Sequence, residues 1–194
     1  MCYEGIGYFA LFGKPLSSER GTVSNFADHV ITRLRANIDV FSGLLNGVSD
    51  EQARWKPSPD KWSLLEVTNH IADEEVEDFR TRVRLTIENP ELDWPPIDPE
   101  RAVIERAYNT RDLKESLVRF VRERNASLAW LSGLRNIPWE AANPNPKFRQ
   151  LRVGDLIASW LAHDMIHIRQ MNRLHYEYLG IQKGTFSADY AGKW

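Results

Sequence analysis

Cysteine is nearly absent from this 194-residue chain, Cys2 being the only one. A lone thiol excludes any intrachain disulfide, and a reducing cytoplasm is the compartment such a composition fits. An excess of one charge is missing too. Twenty-five Lys and Arg stand against 27 Asp and Glu, a formal charge of −2. With no basic block in the chain, a nucleic-acid binder resting on phosphate contacts is not expected. No apolar run has the length of a membrane span. The start, Met1-Cys2-Tyr3-Glu4-Gly5, lacks a basic segment followed by an apolar one, so no secretory signal is expected. What is present, 42% hydrophobic and 27% charged residues, has the balance of a folded soluble domain, and the chain is long enough to bury one core without staples.

Proline divides the chain because it breaks helix interiors. Ten prolines leave four long free stretches, roughly 22–50, 60–89, 100–137 and 147–194. In the first, Val23, Phe26, Val30, Leu34, Ile38, Phe41, Leu45 and Val48 recur at three- and four-residue steps and make one apolar face. Ser63-Leu64-Leu65-Glu66 has the form of a capping box, which predicts a second helix from there to about Glu88. The third stretch carries Leu113, Leu117, Phe120, Val121, Leu128 and Leu131 on one face, with Asn109 or Thr110 as its cap and Gly133 near its end. In the fourth, Leu156, Trp160, Met171 and Leu174 share a face and Gly180 looks like a stop. Four long amphipathic helices bury their faces best against one another, so the expected fold is an all-α four-helix bundle over 23–194, preceded by an arm over 1–22. The proline-rich connection around Trp94 should dock on the bundle through that ring, and long ordered connections of this kind often wall a pocket.

The sharpest local signal is His163-Asp164-Met165-Ile166-His167. Residues four apart lie one turn apart on one helix face, which lets two imidazoles reach one metal ion. At about 100° per residue Leu156, Trp160, His163, His167, Gln170 and Leu174 fall in a narrow arc, so both histidines interrupt a core-facing stripe. Buried rings need partners, and either a metal ion or a satisfied core pair would supply them. His29 and His175 read as boundary or surface residues. His70 sits on a strip with Glu66, Asp73, Glu74, Glu77 and Thr81 that periodicity alone would leave in solvent. Arg124 falls inside the apolar arc of its helix, where it would hold a substrate carboxylate or pair with an acidic residue of a neighbouring helix.

Trp62-Ser63-Leu64-Leu65-Glu66-Val67 followed by His70, then Asp73-Glu74-Glu75, then His163-x-x-x-His167-x-x-Gln170 on the last helix, resembles the DinB/YfiT-like superfamily from about residue 24 to 180. The resemblance implies that His70, His163 and His167 bind one divalent transition metal, zinc or nickel foremost, inside the bundle. It implies a metal-dependent hydrolase, or a transferase using a low-molecular-weight thiol, acting on a small molecule, and a homodimer. Three neutral imidazoles leave an open coordination position, where water is activated or a thiol held as thiolate. Glu74, Asp73 and Asp164 are then the candidate catalytic carboxylates, Asp164 alternatively orienting a ligand, and Arg124, Gln170 and Trp160 the candidate substrate contacts. The competing reading is a non-catalytic, metal-binding or stress-related dimeric bundle. An HD-type phosphohydrolase, suggested by the His163-Asp164 doublet, lacks suitably placed partners.

Overall fold

The structure is a computed structural model that describes residues 19–148, 150–192 and 194, the side chains of 19–25 excepted. The expected arm therefore lies outside the described residues up to residue 18, as do Cys2 and the side chain of Val23. The long helices are α1 (Glu19–Leu45), α3 (Leu64–Asp73) running through a π-helical turn (Glu74–Phe79) into α4 (Arg80–Glu88), α6 (Leu113–Gly133) and α7 (Val153–Gln182). Two short helices, α2 (Asp50–Arg54) and α5 (Pro99–Glu105), lie in the connections, and no strand occurs among the described residues. The first long helix packs on α6 and α7, and α3–α4 packs on the same two. The first and second long helices thus lie across the bundle diagonal, and a diagonal step needs a long connection such as the one carrying α2.

Local chemistry accounts for most of the helix ends. Ser63 Oγ accepts from the Glu66 amide at 3.1 Å while Glu66 returns a carboxylate to the Ser63 amide at 2.8 Å, the reciprocal box expected from the sequence. The cap of α6 is Asp112, which accepts from the Glu115 amide at 2.8 Å, not Asn109 or Thr110. Asn109 is instead spent on Ser63 Oγ and the Arg54 carbonyl, where it ties the entry of α3 to the turn before α6. Gly180 does not stop the last helix. It lies exposed within α7, a position that costs only about 1 kcal/mol, and the chain turns at Gly184, whose φ is +55°.

Two apolar clusters fill the interior, one around Leu34, Val83, Leu128 and Trp160, the other around Phe41, Leu64, Phe120 and Met171. Trp94 docks as expected, with its ring 4.4 Å from that of Phe148 and under the Arg82 guanidinium. This anchors the proline-rich connection, and α5 beyond it covers the side of α3. The strip that periodicity assigned to solvent is therefore buried at Glu66, His70, Asp73 and Glu74, while Glu77 stays exposed and Thr81 half-buried.

Candidate metal centre

Helix α3 brings His70, and α7 brings His163 and His167, to one point. The three rings each offer a nitrogen within 4.8 Å of the others, the one such group among the described residues. His163 Nε2 lies 3.3 Å from His70 Nε2 and 3.0 Å from His167 Nε2. Two nitrogens bound to one ion at about 2.0–2.1 Å stand about 2.9–3.4 Å apart for angles of about 90–110°, so both separations from His163 are those of nitrogens sharing one transition-metal ion. The far sides of two rings are oriented as ligands require. His167 Nδ1 donates to Gln170 Oε1 at 2.7 Å, and His70 Nδ1 faces Glu74 Oε1 at 3.6 Å. With the hydrogen held on His167 Nδ1, the Nε2 lone pair of that ring points to the shared space.

Electrostatics agrees. Burial, reinforced by His167, pushes His70 down to about 3. Burial, then His167, His70 and Arg124, pushes His163 to about 2, and burial lowers His167 against the opposing pull of Gln170 and Asp164. All three rings are therefore neutral at pH 7, the state that binds a metal. Burial, with the adjoining Asp78 carboxyl, drives Glu74 up to about 9.

A cavity of about 480 Å³ opens beside His70, with Asp73, Glu74, Glu77, Arg106 and Tyr108 on one wall and the Pro96–Pro99 turn with α5 on the other. Its acidic residues divide by what holds them. Asp73 is bound by Arg106, Arg119 and the Tyr108 hydroxyl, so this candidate base is already committed. Glu77 forms a two-pronged pair with Arg106 at 2.7 and 2.9 Å. Glu74 remains beside the His70 ring and, among the described residues, forms no ion pair with an arginine.

Other expected site residues are placed elsewhere. Arg124 is 1% exposed and takes the acidic-partner alternative. Its Nε donates to Glu75 Oε1 at 2.9 Å, Nη1 to Asp164 Oδ2 at 2.8 Å and the Leu34 carbonyl at 3.1 Å, and Nη2 to Asp164 Oδ1 at 2.7 Å. With all three nitrogens used, it does not clamp a substrate. Asp164 faces Arg124 and the Asn37 amide, so it neither orients a ligand ring nor supplies an HD-type doublet; Gln170 does the orienting. Trp160 is fully enclosed, stacked on Phe79 with ring centres 5.5 Å apart, and neither Trp160 nor Gln170 lines the cavity. His29 is exposed, and His175 is bonded to Gln52 at 2.9 Å. Sequence reasoning missed Glu75 as the partner of Arg124. The signal was the unpaired guanidinium itself, which needed a carboxylate at its own height in the bundle.

A family model described as the DinB superfamily matches residues 33–171. Among solved structures, YfiT from Bacillus subtilis, described as a probable metal-dependent hydrolase with an unusual four-helix bundle topology, aligns with a TM-score of 0.70. The alignment spans 86% of this chain and 93% of that one at 17% identity, a likeness of fold. No curated protein matches in sequence.

Proposed function

The chain belongs to the DinB superfamily, and from that premise we propose that it is a mononuclear metal-dependent enzyme acting on a small molecule, with His70, His163 and His167 as the ligands. The observation that carries the proposal is the convergence of three Nε2 atoms, with separations of 3.0 and 3.3 Å, on neutral rings of which two are buried and one half-buried. Zinc and nickel both suit three imidazoles. A bound ion with one position open would activate a water for hydrolysis or hold a small thiol as thiolate.

The protein's own groups divide the remaining work. Gln170 fixes the His167 tautomer and Glu74 faces the outer nitrogen of His70. Glu74 is also the carboxyl of the cavity wall best placed to take up or return a proton, since Asp73 and Glu77 are held by arginines. Ile97, Pro99 and Ala102 give the opposite wall its apolar surface.

The test is turnover of a panel of esters, amides and thiol-acceptor compounds by zinc- or nickel-loaded protein. Turnover that disappears on chelation and in His167→Ala is expected. Equal turnover by His167→Ala contradicts the proposal, and so does a loaded protein whose X-ray absorption shows a fourth protein ligand closing the open position.

A further inference from the structure

Each long helix contributes a buried polar side chain to one network: Asn37 on α1, Glu75 in the π turn, Arg124 on α6 and Asp164 on α7. The Arg124 guanidinium binds Glu75 and Asp164, the Asn37 amide donates to Asp164 Oδ2 at 2.7 Å, and Trp160 Nε1 donates to Glu75 Oε1 at 2.7 Å. Two features of this layer need a cause. The first is charge. One guanidinium faces two carboxylates, and Glu75 Oε2, in a residue 1% exposed, has no hydrogen-bond partner. An uncompensated buried carboxylate is costly, and an apolar layer of the same shape would cost less.

The second feature is placement. Trp160 and Asp164 flank His163 on α7, and both are held by this layer, Trp160 through Glu75 and Asp164 through Arg124 and Asn37. Phe79, stacked on Trp160 with planes 9° apart, meets the His163 ring edge-on at 5.2 Å. A helix can turn about its axis or slide by fractions of an ångström, and either motion would carry His163 Nε2 away from the two rings it must meet. Pinning the helix on both sides of His163 prevents this. The layer thus holds α7 on both sides of His163 and carries more negative than positive charge.

We infer that Glu75, acting through Arg124 and Trp160, is a positioning residue of the metal centre: it fixes the register of α7 that presents His163. The inference rests on the three-histidine reading above and extends it to residues that touch neither ion nor substrate.

The experiment is a zinc competition titration of the full chain, wild type against Glu75→Gln, with thermal midpoints recorded with and without zinc. Glutamine keeps an acceptor for Arg124 and Trp160 and removes the charge. The expected result is zinc affinity lower by about tenfold or more, with a metal-free midpoint at or above that of wild type. A lower metal-free midpoint with unchanged zinc affinity would show a merely structural layer and overturn the inference. Should Glu75→Gln fail to fold, Trp160→Phe decides, since it keeps the stack on Phe79 and loses only the bond to Glu75. Weaker zinc binding by that variant supports the positioning role, and wild-type affinity overturns it. A wild type that binds no zinc refutes the metal reading itself, and the inference with it, an outcome distinct from a variant that binds as well as wild type.

Discussion

Acid should destabilise the metal-free protein through its ligand histidines, and replacing one of them isolates the effect. His70 is 6% exposed and is held neutral down to about 3, whereas in the unfolded chain its ring takes up a proton near 6.5. Between those values the unfolded state binds more protons, so stability falls as pH drops below about 6.5. At pH 5.0 the ring has passed about 1.5 pH units below its unfolded value, and at about 1.4 kcal/mol per unit it costs about 2 kcal/mol. Glu74 works in the opposite direction: its carboxyl, raised to about 9, favours the folded state as pH falls. The net pH dependence of wild type therefore does not report His70 alone. The difference between wild type and His70→Asn does, because the Glu74 contribution is common to both. Urea unfolding in the presence of a chelator, at pH 7.5 and 5.0, should show the stability of wild type relative to His70→Asn falling by about 2 kcal/mol over that interval. A difference that stays constant between the two pH values would refute a buried, neutral His70.

Further outcomes follow from the same geometry. Arg124→Met leaves Glu75 and Asp164 buried without their cation, and chemical denaturation should show a loss of about 3–5 kcal/mol; a loss below about 1 kcal/mol would mean the guanidinium is not the hub of the layer. Gln170→Leu removes the acceptor from His167 Nδ1, 2.7 Å away, and should weaken metal binding about 10- to 100-fold in a competition titration without changing the far-ultraviolet circular dichroism.

The bundle was legible because its signals are local and periodic: apolar residues at helical spacing, the Ser63–Glu66 box and proline-free runs each name a helix without reference to the rest of the chain. The pair His163 and His167 was legible for the same reason, since both lie on one helix face. His70 was not legible from periodicity. Its side of α3 is covered by α5 and the Pro96–Pro99 turn, which come from a connection without helical spacing, and only the family resemblance pointed to it. The roles of Asp73, Glu74 and Glu75 could not be divided in sequence, because three adjacent acids look alike until each meets its partner: arginines for Asp73, His70 for Glu74, Arg124 and Trp160 for Glu75. The π-helical turn within this run has no spacing signature, yet it carries the chain from the ligand His70 to Phe79, whose ring packs on His163.

The central claim is that three histidines form one metal site. Elemental analysis of tag-free protein, beside a variant with His70, His163 and His167 all replaced by alanine, tests it most directly. Close to one transition-metal ion per chain is expected in wild type and none in the variant. Equal metal content in the two proteins, or none in wild type even after supplementation with zinc and nickel, would contradict it.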